Sequence, residues 1–399
     1  MAALAVAVFA NPAAAQSNIP GLNVVTETRL IGDATRTRFI ADLTDEIDLT
    51  VFALSDPHRI VIDLPEVHFQ LEQGVGDEGR GLIEAYRYGL ISRGKSRIVL
   101  DLTGPVRVDE AFVLAPLDDQ PARLVVDLVP APLDEFLAAA AEYREAIAAA
   151  TPARENPSVE LYDNSRDGRA MIVIDPGHGG IDAGAVGADG TLEKEVVLEF
   201  ATVLAGQLRA TGRYEVAMTR TGDTFPSLTD RVAFARERRA DLFLSIHADW
   251  LNDRSVRGTA VYTVSERASD AVTAALANSQ NRSDLLAGVE LANAPNEVAD
   301  ILIDLARRET NNFSILLARD LLDSIDDVTT LTGSPHRQAG FVVLTAPDVP
   351  SALIELGFLS NADDERNLLS TEWQRRTAAA MVQAIDRYFA TRVARQSGP

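Results

Sequence analysis

Three apolar runs in this chain stop on, or just before, a residue that can carry chemistry. Met171-Ile-Val-Ile-Asp175 leads through Pro176 and Gly177 to His178, Leu242-Phe-Leu-Ser-Ile246 ends on His247, and Ala352-Leu-Ile354 ends on Glu355. Short apolar runs without polar alternation suit strands covered on both faces, as in sheets flanked by helices. In such a sheet the groups at the carboxyl ends of strands converge on one crevice, so residues far apart in sequence can share a site. The rest of residues 170–392 reads the same way. Further strands are expected at Tyr214–Thr219, Thr259–Val264 and Gly340–Leu344, and helices at Lys194–Thr211, Leu228–Arg239 and Thr371–Ala390. The expected fold is an α/β domain, a twisted, mostly parallel or mixed sheet flanked by helices.

Between the fourth and fifth expected strands lies an insertion, about residues 265–339. It carries an amphipathic helical pattern from Glu297 to Ile325, with Val298, Leu302, Leu305, Phe313, Leu316, Leu317 and Leu321 on one stripe. A segment of this length inside a compact domain is usually functional.

Two histidines, His178 and His247, and two glutamates, Glu193 and Glu355, stand at or near these strand ends. Two imidazoles and one carboxylate with an open fourth position form the ligand set of a catalytic zinc centre. The remaining carboxylate is then free to act as general base. A carboxylate such as Glu355 inside an apolar run is costly to bury unless it is paired or metal-bound. Glu193 opens a helix, where it also complements the helix dipole. The glycines around His178 fit neither a dinucleotide fingerprint nor a P-loop. His336, in the polar stretch Gly333-Ser-Pro-His336, is a candidate for orienting substrate or stabilising charge. His58 and His68 have no partner pattern and read as ordinary surface histidines.

Residues 17–130 differ in character and contain a duplication. Arg38-Phe-Ile-Ala-Asp-Leu-Thr44 matches Arg97-Ile-Val-Leu-Asp-Leu-Thr103, and Arg59-Ile-Val-Ile-Asp-Leu64 matches Arg123-Leu-Val-Val-Asp-Leu128. Val51-Phe-Ala-Leu54 and Ala111-Phe-Val-Leu114 stand between the members of each pair. Each copy reads as strand, short strand, strand with one apolar face, and two such units facing each other make a small all-β sandwich. Residues 131–169 follow as a helix and an extended linker.

The chain has no cysteine, which excludes thiolate metal sites, a cysteine nucleophile and disulfides. A net charge of −22 argues against a nucleic-acid partner. Residues 1–15 are small and apolar and end in an Ala-x-Ala pattern, as in a secretory signal peptide whose charged beginning is missing. No other stretch reaches the roughly 20 apolar residues of a membrane span.

Four motifs in order now carry a family resemblance. Asp175-Pro-Gly-His-Gly-Gly180, the Glu193 phrase, Ser245-Ile-His-Ala248 and Glu355-Leu-Gly-Phe-Leu-Ser-Asn361 together resemble the zinc-dependent N-acetylmuramoyl-L-alanine amidases, more narrowly the periplasmic cell-separation type of Gram-negative bacteria. Residues 17–130 are similar to the AMIN domain that precedes the catalytic domain there. Asp249 departs from the asparagine common at its position, and Thr191 from the basic or apolar residue usual before the Glu193 phrase. The resemblance implies Zn2+ held by His178, Glu193 and His247, and Glu355 as the catalytic carboxylate. It implies hydrolysis of the amide between N-acetylmuramic acid and L-alanine in peptidoglycan, in the periplasm at the division septum. It also implies a sandwich that targets peptidoglycan, and an insertion that blocks the zinc until a degenerate metallopeptidase-like (LytM-like) activator binds. Glu290 is the expected blocking carboxylate. Two rivals remain at this point: an inactive wall-binding scaffold, and another zinc hydrolase acting on the same polymer.

Overall fold

A computed structural model describes residues 23–72, 74–92, 94–117, 120–150, 169–287 and 301–396. The amino-terminal part is all β up to one helix. Its strands are β1 (Asn23–Asp33), β2 (Arg36–Leu43), β3 (Thr50–Leu54), β4 (Arg59–Pro65), β5 (Val67–Phe69), β6 (Ile83–Ser92), β7 (Lys95–Leu102), β8 (Val106–Leu114) and β9 (Ala122–Pro130), followed by helix α1 (Leu133–Ala150). They form two sheets, ordered β5-β1-β2-β9-β8 and β3-β4-β7-β6. The inward sides meet in one apolar core that includes Phe39, Ile60, Ile62, Ile98, Leu100, Leu124 and Val126.

The sheets are not the two sequence copies. The first strand of each copy crosses to pair with the last strand of the other, β2 with β9 and β7 with β4, both antiparallel. Each sheet therefore mixes strands of both copies, which corrects the picture of two self-contained three-stranded units. The duplication sets which residues face inward but not which copy supplies the neighbouring strand.

The second part is built from β10 (Ala170–Pro176), α2 (Glu193–Ala210), β11 (Tyr214–Met218), α3 (Leu228–Glu237), β12 (Leu242–His247), β13 (Thr259–Val264), α4 (Ala271–Gln280), α5 (Ser283–Leu286), α6 (Ile301–Ile325), β14 (Leu331–Ala339), β15 (Ser351–Glu355), α7 (Ala362–Leu368) and α8 (Thr371–Gln396). One mixed sheet, ordered β11-β10-β12-β15-β13-β14, runs through it. The neighbours β11, β10, β12 and β15 are parallel, and β13 joins β15 antiparallel. Apolar clusters cover both faces. One holds α2, α6 and α8 residues such as Phe200, Leu204, Leu317, Leu321, Met381 and Ile385, the other Phe243, Tyr262, Phe341 and Leu353.

The fifth strand of the sequence reading is displaced. Gly340–Leu344 is not a strand; the pairing segment is β14, Leu331–Ala339, and Val342–Leu344 forms a short 3-10 turn that fills the core. An edge strand pairs on one side only, so it needs no continuous apolar run and tolerates Pro335. The expected long helix is described from Ile301, and within its stripe Leu317 and Leu321 are buried while Phe313 and Leu316 pack against the same cluster. Leu317 and Leu321 are thus domain core, with Phe313 and Leu316 partly buried beside them. Val298 and Glu290 lie outside the described residues.

Candidate metal centre

The order β10-β12-β15 places three strand ends side by side. His247 closes β12 directly opposite Glu355, which closes β15. His178 stands in the turn leaving β10 with φ of +57°, a left-handed conformation uncommon for a residue with a side chain. Such strain persists where surrounding contacts over-determine it. Here Arg231 donates to the carbonyl of His178 at 2.8 Å and to that of Pro176 at 2.8 Å, and Arg220 donates to those of Pro176 and Gly177 at 3.0 and 2.8 Å. Arg231 is itself anchored to the buried Asp175 at 2.7 Å. Gly177 is required beside it, because a Cβ there would run into the imidazole of His247.

Glu193 opens α2 and is fully buried. Its Oε2 lies 3.2 Å from His178 Nε2 and accepts from the Ala185 amide at 2.8 Å. Its Oε1 lies 3.1 Å from His247 Nδ1 and accepts from the Ala248 amide at 2.9 Å. One ligand atom from each of His178, Glu193 and His247 falls within 4.8 Å of the other two. The charge pattern suits a cation. Burial opposes ionisation of Glu193, but His178, two hydrogen bonds and His247 hold its carboxyl well below the usual range. Burial pulls His247 down from 6.5, whereas Asp182 and Glu193 outweigh burial at His178 and raise it well above that value.

Two atoms test whether the residues fit a metal. His178 Nε2 is buried with no hydrogen-bond partner among the described residues, while its Nδ1 is held by Asp182 Oδ2 at 2.8 Å. A carboxylate that fixes one ring nitrogen and presents the other is the usual support of a metal-ligating histidine. Glu355 is also fully buried; its Oε2 accepts from the Asp249 amide at 3.1 Å and its Oε1 has no partner. Burial, then Asp249 and Glu193, push the Glu355 carboxyl well above its usual pKa. Asp249 follows in the same surroundings, raised to about 6 by burial and Glu193, and Gln280 of α4 donates to it at 3.3 Å. Two imidazole nitrogens and one carboxylate, with a second carboxylate alongside, fit zinc, whose binding would displace the proton that Asp182 and Glu193 favour on His178.

His336 stands apart from this cluster on the edge strand β14, opposite Val261, with its Nε2 3.1 Å from the Thr263 hydroxyl. Sequence reading missed the layer behind the cluster: Asp182, Arg220 and Arg231. Arg231 left one signal. It occupies a core-facing position of α3 between Leu228 and Ala235, where an apolar residue is expected.

Both parts of the chain match known protein families. Residues 172–387 match the family described as N-acetylmuramoyl-L-alanine amidase, and residues 29–128 match the AMIN domain. The chain is 34% identical over 386 residues to N-acetylmuramoyl-L-alanine amidase AmiC of Escherichia coli O6:H1, covering 94% of this chain and 92% of that one. It is 34% identical over 383 residues to AmiC of Neisseria meningitidis serogroup B, covering 92% and 90%. Among solved structures, the catalytic domain of CwlV from Bacillus (Paenibacillus) polymyxa aligns with 26% identity and a TM-score of 0.39, over 55% of this chain and 98% of that one.

Proposed function

The chain belongs to the N-acetylmuramoyl-L-alanine amidases, with an AMIN domain ahead of the catalytic one, and on that premise we propose that it is a zinc-dependent enzyme that splits septal peptidoglycan in the periplasm. The observation that carries the zinc reading is the buried His178, Glu193 and His247 set, with His178 Nε2 left unpartnered. Zinc bound there would lower the pKa of water from about 15.7 towards about 7 and polarise the lactyl carbonyl.

The chain's own groups divide the remaining work. Asp182 keeps the proton on His178 Nδ1 and leaves Nε2 free to ligate. Backbone amides of Ala185 and Ala248 hold the two oxygens of Glu193 in place. Glu355 has one oxygen tied to the Asp249 amide, so Oε1 is the atom that takes a proton from the attacking water and returns it to the leaving L-alanine amine. His336, on the edge strand away from the cluster, would orient the substrate rather than react. On this reading the AMIN domain targets the enzyme to the wall, and the insertion holds it inactive, with Glu290 as the candidate blocking carboxylate. Release follows when a LytM-like activator binds the open form better than the closed one. Because Leu317 and Leu321 belong to the core, this reading leaves the activator the part of the stripe ahead of Phe313.

The test is zinc content together with digestion of purified peptidoglycan, for the parent and for His178→Ala and Glu355→Gln. Intact stem peptides beginning with L-alanine are the expected product. A product cut elsewhere in the stem, or deacetylated glycan, refutes the assignment in favour of a different zinc hydrolase.

A further inference from the structure

The outer face of the β3-β4-β7-β6 sheet is covered. Phe52 and Leu54 of β3, Val61 of β4 and Val99 of β7 form a separate buried cluster with Ile181, Phe225 and Ala287. The first four belong to the sandwich and the last three to the catalytic half. Ile181 lies between His178 and Asp182, Phe225 precedes α3, and Ala287 directly follows α5 within the insertion. At the rim Arg97 is buried, paired with Asp63 at 2.5 and 2.9 Å, and donates a third bond to the Ala287 carbonyl at 3.2 Å. The same stretch of the insertion is tied to the site from the other side, where Asp284 accepts from the Leu228 amide at 2.8 Å. The two backbones nearly touch at Gly89 of β6. A Cβ added there would lie 2.5 Å from the Ile181 nitrogen and 2.7 Å from its Cα. A glycine inside a strand marks such close approach of another backbone.

The duplication supplies a comparison within the same domain. The repeat counterparts of these residues, Phe112, Leu114, Val125, Ile40 and the pair Arg38 with Asp127, make up the outer face of the other sheet. Arg38 holds Asp127 at 2.6 Å, as Arg97 holds Asp63. No catalytic residue joins that face among the described residues: Leu114 is 51% exposed where its counterpart Leu54 is 1% exposed. Docking is therefore a property of one copy and not of the sandwich in general.

We propose that the outer face of the β3-β4-β7-β6 sheet is an intramolecular docking surface for the catalytic half, through which the sandwich positions the His178–Asp182 loop and the α5 turn of the insertion. The docking rests on packing alone. The positioning of the metal site rests in addition on reading His178 as a zinc ligand.

Full-length protein carrying Gly89→Leu, Arg97→Ala or Arg97→Lys tests it, with Arg38→Ala as the repeat-matched control. Gly89→Leu suits a strand, and the atoms it would crowd are those of Gly180 and Ile181 across the seam. Hydrogen exchange is read at amides 177–184 and 283–287, with amides of β2 and β12 reporting that both halves remain folded. Zinc affinity is read by chelator competition. Gly89→Leu and Arg97→Ala should exchange at least tenfold faster at both segments and bind zinc at least threefold more weakly. Arg97→Lys, which can still donate to the Ala287 carbonyl, should fall between them and the parent, and Arg38→Ala should match the parent. Exchange within threefold of the parent in both Gly89→Leu and Arg97→Ala overturns the docking. Faster exchange with unchanged zinc affinity overturns the positioning. A parent that binds no zinc refutes the metal reading instead and leaves the exchange comparison standing.

Discussion

Asp182→Asn should weaken zinc binding about 10- to 100-fold without unfolding the protein. Asp182 is buried; its Oδ2 faces His178 Nδ1 at 2.8 Å and its Oδ1 accepts from the Gly184 amide at 3.0 Å. An ionised carboxylate only accepts, so the ring proton must sit on Nδ1 and the lone pair on Nε2 faces the cluster. Asparagine offers two arrangements, and both are worse. With its NH2 toward Nδ1, the ring proton moves to Nε2, the atom that should ligate. With its oxygen toward Nδ1, the NH2 faces the Gly184 N–H and two buried donors oppose each other. Losing the orienting partner of a ligating histidine typically costs 10- to 100-fold in metal affinity, about 1.4 to 2.7 kcal/mol. The assay is competition with a chromogenic zinc chelator at pH 7, paired with thermal unfolding of the metal-free forms. An affinity within threefold of the parent, with the fold intact, would refute the orienting role of Asp182 and with it the choice of Nε2 as ligand atom.

Glu355→Gln should retain zinc and lose about 10²- to 10⁴-fold in hydrolysis, the usual worth of a positioned acid–base group; parental turnover in a peptidoglycan digest would sink its role. Gly177→Ala should lower zinc content sharply, since its methyl displaces the His247 ring, and metal analysis of the purified variant decides it. Asp284 gives a pH prediction: burial raises its carboxyl from 3.8 to about 6 in the folded chain. A raised carboxyl favours folding below pH 4 and loses that contribution as pH rises through 6, about 3 kcal/mol at about 1.4 kcal/mol per pH unit. Asp284→Asn, whose carbonyl oxygen can still accept from the Leu228 amide, should therefore be stabilising in denaturant melts at pH 7 and neutral below pH 4; a pH-independent difference would count against it. Glu290→Ala should raise hydrolysis in the absence of any activator, and unchanged basal activity would dismiss that carboxylate as the block. A deletion carried past Phe313 would not test the same point, because Leu317 and Leu321 belong to the core.

His178, His247 and Glu355 were legible because each ends or closely follows a run that reads as a buried strand, and Glu193 because it opens a helix. An unbroken apolar stretch that stops on histidine or glutamate marks a strand end, and neighbouring parallel strands bring such ends together. Residues whose reason is purely three-dimensional left little trace. Asp182 sits in a turn that would be solvated elsewhere, and Arg220 follows an ordinary strand; only burial against four carbonyls distinguishes it. β14 was misplaced because an edge strand does not need the alternation by which strands are recognised. The docked sheet face was invisible for another reason. Phe52, Leu54, Val61 and Val99 read like Phe112, Leu114, Val125 and Ile40, and nothing local says which set is covered.

The exchange of strands between the two copies in the sandwich bears on how that domain comes into being. Because β2 lies between β1 and β9, and β7 between β6 and β4, a chain with only one copy leaves one edge of its first strand unpaired. Two such halves could complete each other only as an intertwined pair, the arrangement of a domain-swapped dimer. The sandwich thus has the topology of such a dimer whose subunits have become joined end to end. Its central contacts link residues about ninety positions apart, such as Arg38 and Asp127. Long-range pairing of this kind slows folding, because the loop must close before the contacts reward it. Strand β2 therefore waits, during synthesis, for β9, encoded about ninety residues later, whereas β4 needs only β7.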